Sequence, residues 1–273
     1  MSALSLATMS RFESAAPLLQ FGEVPSGEIV QGKYVVRFAR TQEEVVAALK
    51  LRFEVFNLER GEGLATSFIT GRDEDEFDST SHHLVLIDRS SRQVIGTCRL
   101  RTYEIAKTIE GFYSSTEFDL NPLPVDFREK AIEVGRTCIA KPYRNTQALL
   151  LLWKGLALFS MHHQKRYFFG CCSLSSQDPS EGGRVFDLLS DEGHLHPELC
   201  VNSRPGFKCL WYKASDCHRS EVAVPQLLRT YLRLGAKACG PPAMDRQFRT
   251  IDFFVALDLH GVDRRVHCLL FGA

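Results

Sequence analysis

The fold of this chain is decided by residues 131–174, AIEVGRTCIAKPYRNTQALLLLWKGLALFSMHHQKRYFFGCCSL. Residues 131–139 are typical of a strand, and the proline and polar residues that follow predict a tight turn. Residues 147–164 carry apolar side chains around the whole circumference of a helix, which indicates a buried helix. Residues 167–174 are apolar and rich in aromatic residues, as in an interior strand. A strand, a helix and a second strand in this order predict a right-handed crossover.

The junction between the first strand and the helix is a candidate functional site. Asn145 or Thr146 can cap the helix, so its first-turn N–H groups and Arg144 would face one anionic group. On the strand, Glu133 and Arg136 are three positions apart and lie on opposite faces if the strand is regular. Charges inside an apolar strand favour a site, and the alternative is that each forms a buried ion pair with other partners.

The composition is that of an ordinary globular protein. Of 273 residues, 44% are hydrophobic and 24% are charged, which suffices for one large domain with its own core. Lys plus Arg and Asp plus Glu both number 33, so bulk charge favours no nucleic acid partner. The nine cysteines include no CxxC pair, which is typical of free thiols in a reducing cytoplasm, and we expect no metal. No apolar run reaches the roughly 18 residues of a membrane span, so peripheral contact is the membrane contact we expect.

The rest of the chain predicts one α/β domain with a mixed, strongly twisted sheet. Residues 1–32 are interpreted as a flexible arm and residues 33–273 as the domain. Thr41 and Glu44 form a capping box that begins a helix. The other predicted elements are a strand (33–39), a hairpin (82–103), an irregular segment (104–130), helices (180–189 and 225–235), strands (207–212 and 251–257) and a rigid turn (239–245).

A long polar loop at residues 58–81 contains RDEDEFD at 72–78. Loops of this length are often lids or binding loops. Its crowded carboxylates predict either a nearby group of cations or simple solvation at the surface.

Several motifs taken together resemble a known fold family, the GCN5-related N-acetyltransferases (GNAT). Within it, the chain is similar to the branch that holds N-acyl-homoserine lactone synthases and the haemolysin-like ornithine-lipid synthases. The motifs are RFEVF at 52–56, DEFD at 75–78, GTCRL at 96–100, EVGR at 133–136, and the C-terminal segment 227–258. They cover nearly all of residues 33–260.

The resemblance implies an enzyme that takes a fatty acyl thioester, usually on acyl carrier protein, and forms an amide with an amino acid. Acetyl-CoA-using relatives have a glycine-rich turn before the central helix, whereas this chain has YRNTQ at 143–147. Without glycine, a pyrophosphate cannot approach the backbone closely, which argues against ordinary coenzyme A binding. Arg144, Asn145 and Thr146 could still meet the single phosphodiester of a phosphopantetheine. We expect no tightly bound cofactor, and acyl-CoA stays open as a co-substrate.

The same resemblance suggests roles for individual residues. Glu133 is expected to remove the proton from the attacking amine, and a backbone N–H of its strand to donate to the thioester oxygen. Arg52, Arg99 and Arg136 would pair with Asp75, Asp78 and Glu133. The catalytic set is therefore Glu133, Arg136 and Arg99, and the substrate-binding set is Arg52, Phe56, Asp75, Asp78, Trp153 and Asp245. Asp245 could equally cap a turn.

The function that this resemblance implies is an N-acyltransferase. It would move a long-chain acyl group, with or without a 3-hydroxyl, onto an amino acid such as ornithine or glycine and make a lyso-aminolipid. The expected partner is acyl carrier protein, for which Arg229, Arg233, Lys237, Arg246 and Arg249 form a candidate basic patch. The alternatives are a short-chain acetyl-CoA-dependent N-acetyltransferase and a non-catalytic acyl-binding module.

Overall fold

The computed structural model describes residues 24–108, 111–211 and 224–272. In these residues one large sheet has the strand order β1-β2-β3-β4-β6-β7-β11-β10, with β9 paired to β11 and a small second sheet of β5 and β8. The strands are β1 Ile29–Gln31, β2 Tyr34–Phe38, β3 His82–Asp88, β4 Gln93–Thr102, β5 Phe118–Asp119, β6 Ala131–Ile139, β7 Tyr167–Leu174, β8 Asn202–Ser203, β9 Lys237–Ala238, β10 Ala243–Asp245 and β11 Thr250–Asp258.

The α-helices cover the sheet and its ends. They are α1 Gln42–Arg52, α2 Ser67–Thr70, α3 Tyr103–Ala106, α4 Val125–Glu129, α5 Thr146–His162, α6 Pro179–Asp191, α7 Gln226–Arg233 and α8 Arg264–Phe271. No helix in the described residues is long and apolar enough to cross a membrane.

Two hydrophobic clusters lie on the two faces of the sheet. Along β11, Phe253 and Val255 belong to the cluster under α5, whereas Phe254 and Ala256 belong to the opposite cluster. This alternation follows from the two-residue period of a strand. The sheet is thus covered on both faces, as its apolar central strands require.

The central crossover forms as the sequence predicts. β6 and β7 have the predicted bounds, and α5 covers 146–162 where 147–164 was expected. The side chain of Asn145 caps α5 by accepting a hydrogen bond from the N–H of Ala148 at 2.9 Å. The helix is buried along most of its length, with Met161 the exposed exception among its large apolar residues.

β6 and β7 pair in parallel only at their first residues, 131–133 with 167–169. Beyond this point they separate, while every other strand pair in the large sheet is antiparallel. Gly170 stands where separation begins, and a Cβ there would lie 2.2 Å from the carbonyl oxygen of Val134. β6 also bulges against β4, and Arg136 takes a left-handed φ of 50°. The bulge breaks the regular alternation on which the opposite-face prediction for Glu133 and Arg136 depended.

Other predictions are only partly met. The predicted strand 207–212 is wrong over the described residues 207–211, where only an isolated bridge from Lys208 to Ala243 forms. The predicted rigid turn at 239–245 ends in β10. Residues 29–31 of the predicted arm form the edge strand β1, and residues 1–23 lie outside the described residues.

Candidate active site

A cavity of about 1070 Å³ opens where β6 and β7 separate. One part of its wall is apolar and comes from α5, β7 and α7. Trp153 belongs to this part and meets Tyr231 edge to face, with ring centroids 5.4 Å apart. Phe168 and Phe56 also line the cavity. This part of the cavity suits a hydrocarbon chain.

Another part of the wall carries charge. Arg99, Glu133 and Arg136 line it together with the backbone of β6. A Cβ at Gly135 would meet nothing within 4 Å, so this residue leaves open space in the cleft. The cavity therefore joins an apolar space to a charged space at the separated strands.

Behind this charged wall, three arginines and three aspartates form a closed ring of alternating charges. Arg52 contacts Asp73 and Asp78, with a distance of 2.6 Å from Arg52 Nη1 to Asp78 Oδ1. Arg99 contacts Asp78 at 3.0 Å and also Asp75. Arg136 closes the ring, with distances of 3.0 Å to Asp75 and 3.2 Å to Asp73. No side chain in the ring is more than 9% exposed.

The ring explains why carboxylates so close together are tolerated. Burial alone would raise the pKa of Asp73, but the charges of Arg52 and Arg136 outweigh it and hold the pKa below its usual value. The pKa of Asp78 is lowered in the same way, against burial, by Arg52 and Arg99. Simple solvation, one of the two expectations above, is therefore wrong for the three aspartates, which fasten the loop to β4 and β6. It holds for Glu76, which is exposed.

The predicted partners of the arginines were partly wrong. Asp73 belongs to the ring and Glu133 does not. The run RDEDEFD offered several carboxylates, and its sequence alone did not indicate which of them point inwards. Arg52, Asp75 and Asp78, predicted to bind substrate, are absent from the cavity lining, so their contact with the cavity is through Arg99 and Arg136.

Glu133 is anchored to a short 3₁₀ turn at Tyr113–Thr116. Its Oε2 accepts a hydrogen bond from the N–H of Tyr113 at 2.8 Å. Its Oε1 accepts from the N–H and the hydroxyl of Ser114, both at 2.6 Å. A carboxylate has about four acceptor positions. Three are filled by these hydrogen bonds, so one acceptor position of Glu133 stays free, on Oε2.

Arg136 is clamped between two aromatic rings. Its guanidinium carbon lies 4.7 Å from the ring centroid of Tyr113 and 4.0 Å from that of Phe248. Such cation–π contacts are strongest where water is excluded. The bulge, the ring of charges and the two aromatic residues together fix the cavity wall at β6.

The start of α5 also lines the cavity, as predicted. Asn145 and Thr146 are exposed there. Arg144 lines it too, but both of its terminal nitrogens donate to the carboxylate of Glu59, at 2.6 and 2.7 Å. A phosphate would have to share or replace this exposed ion pair.

The chain is similar to known acyltransferases. A family model described as an acetyltransferase (GNAT) domain matches residues 51–154. An L-ornithine N(alpha)-acyltransferase of Rhodobacter capsulatus is 31% identical over 241 residues, which cover 85% of this chain and 92% of that protein. The chain belongs to the L-ornithine N(alpha)-acyltransferase family. It is therefore an acyltransferase, as the sequence motifs indicated.

Further matches support the same family and fold. An L-ornithine N(alpha)-acyltransferase of Rhizobium meliloti is 30% identical over 244 residues, 84% of this chain and 81% of that protein. The solved structure of FeeM, an N-acyl amino acid synthase from uncultured soil microbes, has a TM-score of 0.50 and covers 84% of this chain and 91% of its own, at 11% identity. That likeness shows the fold, and the predicted GNAT-like α/β domain is confirmed.

This ornithine acyltransferase family member also contains a carboxylate cluster that the sequence did not indicate. Glu117, Asp245 and Asp252 each place an oxygen within 4.8 Å of the others. Asp245 was predicted to bind an ammonium group or to cap a turn. It does cap a turn, because its Oδ1 accepts from the N–H groups of Gln247 and Phe248 at 2.7 and 2.9 Å.

Proposed function

We propose that the protein transfers a long-chain acyl group from a phosphopantetheine thioester to the α-amino group of L-ornithine. The observation that carries this proposal is the single cavity that joins an apolar space to a charged space where β6 and β7 separate. The acyl chain would occupy the apolar space, and the amino acid would occupy the charged space. The relatives named L-ornithine N(alpha)-acyltransferase supply the identity of the amine.

The reaction forms one bond and breaks another. The neutral α-amine attacks the thioester carbonyl carbon, a C–N bond forms, and the C–S bond breaks to release the thiol of the carrier. We propose that the free acceptor position on Glu133 Oε2 holds the attacking N–H and receives its proton, which ends on the leaving thiolate. A backbone N–H of β6 beyond Gly135, where pairing with β7 has ended, would donate to the thioester oxygen.

The donor is proposed to be acyl carrier protein. Arg229 and Arg233 are exposed on α7, and Arg233 lies at the cavity. Arg246 and Arg249 are exposed as well. An exposed arginine at the cavity and further exposed arginines on the surface suit an acidic carrier protein. The phosphodiester of its arm would meet Asn145 and Thr146 at the start of α5, beside Arg144.

Contact with a membrane surface is proposed for release of the product. Leu58, Phe68 and Ile69 are large apolar side chains that are 60%, 61% and 85% exposed. Leu58 belongs to the π-helix Phe53–Glu59, in which Phe56 and Glu59 line the cavity. A lyso-aminolipid leaving the cavity could pass along these side chains into a bilayer.

The direct test is a reaction with purified protein. L-Ornithine and glycine would each be offered with acyl carrier protein or coenzyme A carrying the same long acyl chain, and acetyl-CoA would be offered separately. We expect N(alpha)-acyl-ornithine by mass spectrometry, formed faster from the carrier protein. Product from acetyl-CoA alone would favour a short-chain acetyltransferase, and binding of the thioester without product would favour an acyl-binding module. Preference for glycine would contradict the proposed acceptor.

A further inference from the structure

Three buried carboxylates have no role in the transfer described above. They lie close together, and one of them, Asp252, lines the cavity. Glu117 follows the 3₁₀ turn that Glu133 anchors, Asp245 ends β10, and Asp252 lies in β11. Their exposed fractions are 1%, 4% and 3%. Grouping like charges away from water is costly unless a cation joins them.

The cluster lacks a partner of opposite charge among the described residues. Among the described residues, no N–H or O–H group of another side chain or of the backbone donates to either oxygen of Glu117 or to Oδ1 of Asp252. Glu117 and Asp252 are close enough to hydrogen-bond to each other when one of them holds a proton. Burial, and next the charges of Asp252 and Asp245, raise the pKa of Glu117 well above its usual value. Burial raises the pKa of Asp252 to about 6, against a hydrogen bond with Ser173, and the charge of Asp245 adds to the rise. Arg136 lies close enough to lower the pKa of Glu117, but it makes its ion pairs with the ring.

We propose that Glu117, Asp245 and Asp252 bind the side-chain ammonium group of the acceptor amino acid. A primary ammonium group has three N–H donors and no acceptor. Three carboxylate oxygens that lie within 4.8 Å of one another match this donor set, and hydrogen bonds between ionised groups are the strong ones. The inference rests on the proposed acylation of ornithine and explains how the site would select it.

The position of the cluster fits an amino acid that spans the polar part of the cavity. Asp252 and Thr250 line the cavity, so a ligand reaches the carboxylates from there. Tyr113 connects the two ends of this space. Its N–H donates to Glu133. Burial raises the pKa of its hydroxyl well above the usual value, the charge of Arg136 opposes the rise, and the charges of the three carboxylates add to it, which places the hydroxyl near the cluster. The α-amine would lie near Glu133 and the side-chain ammonium at the cluster.

An ammonium group fits this cluster better than a divalent metal ion. Mg²⁺ and Ca²⁺ take six or more oxygen ligands, of which Mg²⁺ usually keeps several as water. The cluster is nearly closed to solvent, and Oδ1 of Asp245 already accepts two backbone hydrogen bonds. An ammonium group needs only one acceptor from each carboxylate.

The test compares L-ornithine with L-norvaline, which has the same carbon chain without the side-chain nitrogen. The wild-type protein should use ornithine with a kcat/KM about 10- to 100-fold above that for norvaline, the range expected for hydrogen bonds to a charged group. Asp252→Asn should lower this ratio towards one, mainly through ornithine, and Glu117→Gln should do the same. Asp126→Asn, at an exposed surface position, should leave the ratio unchanged.

Three results would overturn the inference while leaving ornithine acylation in place. The first is that the wild type uses ornithine and norvaline with the same kcat/KM. The second is that Asp252→Asn and Glu117→Gln lower kcat/KM equally for both acceptors. The third is that a chelator abolishes activity and Mn²⁺ alone restores it. If neither acceptor is acylated, the proposed function fails, and thermal melting of the full chain decides the inference separately. Ornithine should raise the Tm of the wild type more than norvaline does, and this difference should disappear in both Asp252→Asn and Glu117→Gln. That pattern would support the inference, and any other pattern would overturn it.

Discussion

Replacing Asp73 by Asn should destabilise the protein far more than the same change at the surface. Asp73 is 1% exposed and joins Arg52 to Arg136 in the ring of charges. Removing one member of a buried ion pair costs about 3–5 kcal/mol. Asn keeps an oxygen that accepts from Arg52, and each arginine keeps its other aspartate, so we expect the lower end, about 3 kcal/mol. For a chain of roughly this size that corresponds to a fall in Tm of about 6–12 °C.

The assay is thermal and urea unfolding of wild type, Asp73→Asn and the control Asp126→Asn, followed by circular dichroism. Asp126 pairs with Lys130 at an exposed site, so its loss should change stability by less than about 0.5 kcal/mol. The folded pKa of Asp73 is lowered, so its contribution is present above the unfolded pKa of about 3.9 and is lost as pH falls through the folded value. The difference in free energy of unfolding between wild type and Asp73→Asn should therefore become smaller below about pH 4. Equal Tm values for the two variants at neutral pH would show that Asp73 does not stabilise the ring of charges.

Three further predictions concern the cleft. Gly170→Ala should lower Tm, because its methyl group would lie 2.2 Å from the carbonyl oxygen of Val134. Gly135→Ala is the control and should keep the Tm of the wild type, because its methyl group would meet nothing within 4 Å. Equal Tm values for the two variants would contradict the placement of β6 and β7. The pKa of Asp252 is raised to about 6 in the fold, so the wild type should lose stability as pH rises from about 4 through 6. Asp252→Asn should lose less stability over this range, because Glu117 is then the remaining group of the pair with a raised pKa. A constant difference in Tm between wild type and Asp252→Asn from pH 4 to 8 would contradict this. Trp153→Phe should shift the preference towards longer acyl chains, by up to about fourfold for each methylene that the new space holds. Competition between thioesters of different length measures this preference, and an unchanged preference would show that the acyl chain does not lie against Trp153.

Much of the fold could be predicted because local pattern and packing agree. The strand, helix and strand between residues 131 and 174 combine the right period, length and capping residues. Thr41 caps α1 as predicted, accepting from the N–H of Glu44. The predicted strand at 207–212 failed because alternation in a short segment does not fix which strand it pairs with.

The site was harder to predict, because it depends on contacts between distant segments. The sequence singled out Glu133, Arg99 and Arg136, and all three line the cavity. It did not indicate that Glu133 accepts a hydrogen bond from a turn at Tyr113, twenty residues earlier. At the bulge the left-handed φ falls on Arg136 and not on the neighbouring Gly135, so the glycine did not mark the position. Glu117 and Asp252 stand alone in the sequence, and only the pairing of β10 with β11 brings Asp245 and Asp252 together.

In the proposed function, acyl transfer occurs in the cleft between the separated strands β6 and β7. The most direct measurement is the rate at which Gly135→Val forms N(alpha)-acyl-ornithine, with Gly135→Ala as the control and Tm recorded for both. A larger side chain at Gly135 would occupy open space in the cleft without meeting protein atoms at its Cβ. We predict that the valine variant keeps its Tm but loses most of its activity, while the alanine variant retains it. A valine variant as active as the wild type would show that the transfer does not occur in this cleft.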